Sequence, residues 1–556
     1  MKDMDVTTQT YPGVKPRERY SEEQLAQFRA SGCWRDESLA EWVSHWAEVQ
    51  PDQTAFSDGD VSITWGELEN RGFRLALALK DRGIGLGDRV QVQLPNWSEF
   101  AVIYVALARI GAVLVPTMPI YRHDEVEYVI NHSSARMAFV PSSFRSFDYV
   151  AMHADIADNC PDLAEVVVVR PEEDFKGTRL EDLIGSGPTP TDDELGPVPH
   201  ADEDHAIIYT SGTESRPKGC QHTFNTITFS LYNLCRDIMG MRPGEVMFQP
   251  SPITHATGLM TGVAGPIVLG AAAHLMPVWE PHDGMRRIQQ YGCTMSTTAT
   301  PFVRMALDVM NSETADFDLS SLRTWICAGA PIPQALLEEW RDNMPTTALL
   351  PLYGCSEGFI VTACVPGDLP EKIVSSDGKP SPGVTLEVRN ADGEAVGPGE
   401  EGEIWHGGPG LMLSYWNNPS QTSHDIDARN MKRSGDLGRL DGDGYLRVTG
   451  RIKDLIIRGG TNISAREIEE HLMTHPAVGA AAIVGFPDER LGERACAFVV
   501  TVDDQSIDLA EVVRFLRDER KIAIQKLPER LEIVESLPMT ATGKIQKFLL
   551  RDTIVS

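Results

Sequence analysis

Apolar positions along the chain follow two alternating rhythms, and their alternation predicts a doubly wound α/β fold. At TWGE, Thr64 and Glu67 stand three apart as a capping box, and an apolar stripe continues as a helix to about Lys80. RVQVQLP then reads as a strand, SEFAVIYVALARIG as a mostly buried helix and AVLVP as a second short strand. HAIIYT is a further apolar strand, running into a loop rich in glycine and hydroxyl residues. Beyond that loop Ile227, Leu231, Leu234 and Ile238 share one helical face, so the loop is expected to join a strand to a helix.

Between about Gly378 and Gly450 the rhythm changes to short alternating runs, VTLEVRNADGEAV, EGEIWHGG and YLRVTGR, separated by Asp-Gly and Pro-Gly turns. This region is expected to be a β-rich subdomain closing an N-terminal domain of residues 1–450. A last block, 455–556, opens with Ser464 and Glu467 capping the helix SAREIEEHLMTH. It continues through apolar runs AAAIVGF and ACAFVV, a helix near LAEVVRFLRDE and a strand RLEIVE, enough for a small α+β domain. The stretch GSGPTPTDDELGPVPHADED reads as an exposed connector.

Composition narrows the function. A chain of 556 residues, 42% hydrophobic, can bury a large multi-domain core, and a formal charge of -30 works against nucleic acid or an anionic membrane as partner. Nine cysteines are scattered singly, without paired or metal-ligand spacing, as in a reduced cytoplasmic protein. No apolar run reaches the length of a membrane span, and the N-terminus has no signal-peptide core. A homodimer is compatible with the sequence and not specified by it.

The loop YTSGTESRPKG carries the first chemistry. Backbone amides, hydroxyls and Lys218 suit phosphate oxygens, and a following helix N-terminus would add partial positive charge. It is not a Walker loop: counted from Gly212, Pro217 stands where the second glycine belongs and Gly219 where the hydroxyl belongs. DGDG from Asp441 lacks the third acid of a calcium loop and is read as a hairpin turn.

Four segments in order, YTSGTESRPKG, LYGCSEG, SGDLGRLDGDGYLRVTGRIKDLIIRGG and PMTATGKIQKFLLR, together resemble the adenylate-forming acyl-CoA ligase superfamily from about Val61 to Arg551. The resemblance implies a large N-terminal domain of doubly wound sheets and a small mobile C-terminal domain. It implies transfer of AMP from ATP to a small carboxylic acid, with Mg2+ balancing phosphate charge, then thioester formation with coenzyme A. Thr210, Ser211, Gly212, Thr213 and Lys218 would hold phosphates and Glu357 the magnesium. Tyr353, with Gly354 and Ser356 beside it, would cover the adenine, and Gly329, Ala330 and Pro331 would line it. Asp436 is an acceptor-only group suited to a ribose diol, and Arg451 would contact ribose or phosphate.

Lys544 matches the lysine placed between α-phosphate and carboxylate, Lys547 being the decoy three residues on. The small domain would turn about a hinge at 451–454, centred on Lys453, and bring Gly459 and Gly460 to the thioester step. His255 would border the acyl pocket, with Thr257, Gly258, Met260, Ala328, Gly329, Gly354 and Phe359 leaving it small-lined and apolar. Ala256, where ligases of 2-hydroxybenzoates commonly carry Asn, speaks against a dihydroxybenzoate. An apolar medium-chain, alicyclic or aromatic acid is expected. The alternatives are a carrier protein or an amine as acyl acceptor, or a non-catalytic adenylate-binding protein, against which the retained Lys218, Glu357, Asp436 and Lys544 argue.

One departure stands out: Glu214-Ser215 replaces the usual Thr-Gly of this loop. A carboxylate about 4 Å from a phosphate charge costs roughly 1 kcal/mol in water and about 4 at an effective dielectric near 20. Glu214 is therefore expected to point outward, towards Arg216.

Overall fold

A computed structural model describes residues 13–59, 61–210, 216–312, 316–330, 332–502, 505–540 and 544–555. The chain forms a large N-terminal α/β domain built on two big sheets, and a small C-terminal domain. A nine-stranded sheet has a parallel centre ordered 348–353, 324–328, 295–298, 246–249, 272–275 and 54–57, with antiparallel strands at its edges. An eight-stranded sheet runs 414–415, 219–223, 204–209, 113–116, 89–92, 137–141, 165–169 and 178–179, parallel from 204–209 onward.

The helices between the sheets form where the pattern places them. Trp65–Asp81 starts at Thr64, whose hydroxyl accepts from the Glu67 amide while the Glu67 carboxylate accepts from the Thr64 amide. Glu99–Ile110 is buried along its whole length, as its near-continuous apolar run requires. One large hydrophobic cluster joins these helices to the strands of both sheets.

The expectation that the phosphate loop opens a helix fails. Gly219–Thr223 is a strand antiparallel to Asp204–Tyr209, so the loop caps a hairpin, and the next helix, Phe224–Leu231, begins only after Thr223 caps it. The strand escapes the apolar pattern because it is buried on both faces yet carries Gln221 and His222, which bond to Asp204 and Ser356, and Thr223, whose hydroxyl accepts from the Thr226 amide. Among the described residues, the return arm of the loop leads into a strand and not into a helix N-terminus.

A four-stranded antiparallel sheet follows, ordered 385–389, 402–407, 432–440 and 446–451. Its DGDG turn is the expected hairpin, closed by the Asp441 amide on the Tyr445 carbonyl at 2.9 Å, with both acids paired to Lys372. The last sheet holds strands 455–458, 461–464, 478–488, 492–501 and 530–533, and Ser464 caps the helix Ala465–Leu472. Among the described residues no helix is long and apolar enough to cross a membrane, and all nine cysteines are free thiols.

Candidate functional site

Sheet register assembles the site. The edge strand Ser414–Tyr415 pairs with the return arm of the loop hairpin, Tyr415 opposite Cys220 and Ser414 opposite Gln221. Tyr415 thereby lies under Lys218, whose Nζ sits 4.4 Å from the ring centroid. The Lys218 ammonium also faces Asp425 Oδ2 at 3.3 Å. At the loop's base the Thr210 amide donates to the Lys218 carbonyl at 2.9 Å, and the Lys218 amide donates to Thr210 Oγ1 at 3.1 Å. Ser211, Gly212, Thr213 and Glu214 lie outside the described residues. Arg216, the partner expected for Glu214, is engaged by Asp124 through bonds of 2.5 and 2.9 Å, and the Tyr128 hydroxyl donates to the Pro217 carbonyl at 3.0 Å.

Glu357 is 8% exposed and follows the strand Ala348–Tyr353. Its Oε1 accepts from the Tyr415 hydroxyl at 2.7 Å and faces the Lys432 ammonium at 3.3 Å. Burial alone would push this carboxyl up, but Lys432, the Tyr415 hydroxyl and, further off, Lys218 hold it well below the ordinary carboxylate range. Lys432 is itself buried, and burial's pull downward is outweighed by Glu357, so its ammonium is held above the ordinary lysine range. Removing either partner of such a buried pair costs about 3–5 kcal/mol. An ionised hard-oxygen donor of this kind would suit a divalent cation such as magnesium.

The strand register of the four-stranded sheet sets Asp436 opposite Arg451. Arg451 Nε lies 2.9 Å from Asp436 Oδ1, and the Tyr353 hydroxyl donates to Asp436 Oδ2 at 2.7 Å. Tyr353 ends its strand, and Gly354 follows so closely under Phe359 that a Cβ would lie 1.8 Å from the Phe359 carbonyl oxygen; only glycine fits. The Ser356 carbonyl accepts from His222 Nε2 at 2.8 Å, and the His222 ring packs 4.4 Å from that of Phe359. Gly329 and Ala330 follow the strand Thr324–Ala328; Pro331 lies outside the described residues.

The C-terminal segment reaches this cluster. The backbone at Lys544 is pinned to Thr540 by two bonds, Thr540 amide to Lys544 carbonyl at 2.8 Å and Lys544 amide to Thr540 Oγ1 at 3.1 Å. Its ammonium is within electrostatic reach of Arg451, Asp436 and Glu357: burial and then Arg451 draw it below the ordinary lysine range, while the two carboxylates pull it back. The same ammonium bears on His255, which caps the short helix Ala256–Leu259. Burial, reinforced by Lys544, lowers the His255 imidazole to about 3, so it is neutral at physiological pH. Lys547, by contrast, is paired with Glu469 at 2.7 Å inside the small domain.

Lys453 lies in the turn Ile452–Asp454, whose Lys453 carbonyl accepts from Arg551 at 3.4 Å. Gly459 and Gly460 form the tip of the hairpin between 455–458 and 461–464, exposed, with the Gly459 amide donating to the Leu491 carbonyl at 2.7 Å. The structure thus gathers Lys218, Tyr353, Glu357, Asp436, Arg451 and Lys544 around one locus. It adds Tyr415, Asp425, Lys432 and His222, none of which the sequence reading singled out. None of the four carries a local sequence signal; strand pairing sets Lys432 opposite buried His406.

Residues 43–416 match the AMP-binding enzyme family, and residues 467–544 match the AMP-binding enzyme C-terminal domain. The chain is 36% identical over 539 residues to a medium-chain fatty-acid–CoA ligase of Escherichia coli, covering 96% of this chain and 94% of that protein. It is 32% identical over 537 residues to a 2,3-dihydroxybenzoate-AMP ligase of Bacillus subtilis, covering 96% of both. The crystal structure of the anthranilate CoA ligase AuaEII in complex with anthranoyl-AMP superposes with a TM-score of 0.85 at 25% identity, covering 93% of this chain and 97% of that one.

Proposed function

This chain belongs to the adenylate-forming AMP-binding enzyme family, and we propose that it activates an apolar medium-chain, alicyclic or aromatic carboxylic acid with ATP and passes the acyl group to coenzyme A. The observation that carries this reading is the pair of bonded sets Lys218–Tyr415–Glu357–Lys432 and Arg451–Asp436–Tyr353, with the Lys544 ammonium within electrostatic reach of Arg451, Asp436 and Glu357. Two anions must meet for a carboxylate to attack the α-phosphate, and a cation held between them stabilises the crowded transition state.

The remaining residues divide the work. Asp436, oriented by Tyr353 and Arg451, accepts from the ribose hydroxyls. Thr210 and Lys218 hold phosphate oxygens, and Tyr353 and Gly329 to Pro331 border the adenine. Glu357 would hold a magnesium ion, which would supply charge balance to the nucleotide phosphates. His255, neutral, is a wall of the acyl pocket and not a general base. Domain boundaries at 450 and 455 leave 451–454 as the hinge; rotation about Lys453 brings the Gly459–Gly460 hairpin to the thioester step. The assignment to coenzyme A draws on the medium-chain ligase, the more similar of the two sequence relatives, and Ala256 keeps the acid outside the dihydroxybenzoate class.

The test is a panel of acids graded in length, with benzoates and alicyclic acids, assayed for acid-dependent pyrophosphate release and then for products with and without coenzyme A. An apolar acid that drives release, with acyl-CoA as product, is the expected outcome. An acyl-adenylate that accumulates and that coenzyme A does not discharge would transfer the assignment to a carrier-protein or amine acceptor. Absence of release with every acid would remove the adenylation reading itself.

A further inference from the structure

Tyr415 touches both charged parts of the phosphate end of the site, with two different parts of one side chain. Its hydroxyl donates to Glu357 Oε1 at 2.7 Å, and its ring face lies 4.4 Å from Lys218 Nζ. The residue is 1% exposed, and its backbone is fixed in the edge strand by the register with Cys220 and by the Thr422 hydroxyl, which accepts from the Tyr415 amide at 2.9 Å. Cys220, Met412 and Ile426 pack around the ring. With both charged neighbours drawn to one rigid group, the direction of the Glu357 carboxylate and the height of the Lys218 ammonium are set together.

We propose that Tyr415 is a positioning residue for adenylation, its hydroxyl aiming Glu357 at the metal and its ring face seating Lys218 for the nucleotide phosphates. This rests on the nucleotide reading of the site given above. Tyr415 and Lys432 both engage Oε1 of Glu357, which fixes the carboxylate from one side. A carboxylate held in this way would offer its other oxygen to a divalent cation. A hydrogen bond to a charged acceptor is worth enough to account for about a tenfold change in affinity, and a partly buried ammonium over a ring for about fivefold.

The two contacts are separable by substitution. Tyr415→Phe keeps the ring and deletes the donor; Tyr415→Leu deletes both. Binding of α,β-methylene-ATP is measured by calorimetry without metal, and Mn2+ binding to the protein–analogue complex by electron paramagnetic resonance. For Tyr415→Phe, Mn2+ binding is expected to weaken about tenfold while metal-free analogue binding stays within about twofold of wild type. For Tyr415→Leu, analogue binding also falls, about fivefold. A Tyr415→Phe protein with unchanged Mn2+ affinity overturns the inference, as does one that loses metal-free analogue binding as fully as Tyr415→Leu. A wild-type protein that fails to bind the analogue overturns the nucleotide reading, and this inference with it.

Discussion

Asp204→Asn is expected to stabilise the protein above neutral pH and to flatten the dependence of its stability on pH. Asp204 opens the strand that leads to the phosphate loop, is 5% exposed, and accepts a 2.6 Å hydrogen bond from Gln221 Nε2 on Oδ1, while Oδ2 has no partner. Burial pushes its carboxyl from the ordinary 3.8 up to about 7, against the pull of the Gln221 amide. The unfolded chain releases this proton from about pH 4, whereas the folded protein keeps it until about pH 7. Across that interval the native state binds more protons, so stability falls as pH rises, and the loss is complete above the folded value. At about 1.4 kcal/mol per pH unit, the interval from 3.8 to about 7 amounts to about 4 kcal/mol.

Asparagine keeps the acceptor for Gln221 and cannot ionise, but it places an unpartnered amide where Oδ2 stood, at a cost of about 1–3 kcal/mol. The difference leaves a net gain of about 1–3 kcal/mol near pH 8 and no gain near pH 5. Urea unfolding followed by tryptophan fluorescence at both pH values, on wild type and variant, reads the effect. Self-repulsion from the net charge of -30 acts on both proteins alike, so their difference isolates the one carboxyl. Midpoints that shift in parallel between the two pH values would show that Asp204 is already ionised in the fold and would refute the reasoning.

Three further outcomes are expected. Lys544→Ala should abolish acid-dependent pyrophosphate release while leaving ATP affinity by calorimetry within about threefold, because the role proposed for the ammonium is on the transition state and not on nucleotide binding; normal release would end its assignment. Asp436→Asn should raise the KM for ATP at least about tenfold, since it weakens the ribose acceptor and the Arg451 pairing together; steady-state kinetics at saturating acid checks it. His255→Phe should alter kcat/KM for the acid and leave the pH–rate profile unchanged from about pH 6 to 9, because an imidazole that titrates at about 3 is neutral throughout; loss of an acid limb in the variant would contradict this.

The elements that sequence made legible are those whose burial pattern is local. Thr64 and Glu67 cap a helix from within four residues, and Glu99–Ile110 announces its burial by an unbroken apolar run. Gly219–Thr223 was hidden because a strand holding Gln221 and His222 looks solvated until Asp204, Ser414 and Ser356 are seen to satisfy it. The site shows the same division. Glu357, Asp436 and Lys544 sit in compact motifs, whereas Tyr415, Asp425 and Lys432 gain their meaning only from contacts 58, 207 and 75 residues away in the chain, with Glu357, Lys218 and Glu357. Lys547 and Lys544 cannot be told apart by charge or spacing; Glu469, which holds Lys547, does so.

That the phosphate loop caps a hairpin and does not start a helix bears on how the product leaves. A helix dipole is a permanent field and would go on attracting pyrophosphate after the bond to AMP is broken. Here the full charge is an ammonium that has a carboxylate neighbour of its own, Asp425 Oδ2 lying 3.3 Å from Lys218 Nζ. On the proposed adenylation reading, departure of the leaving group becomes an exchange of partners at Lys218, a phosphate oxygen giving way to the Asp425 carboxylate. A chain that turned over acids with its phosphate grip built into the backbone would have no such off-position; this one carries it as a single aspartate.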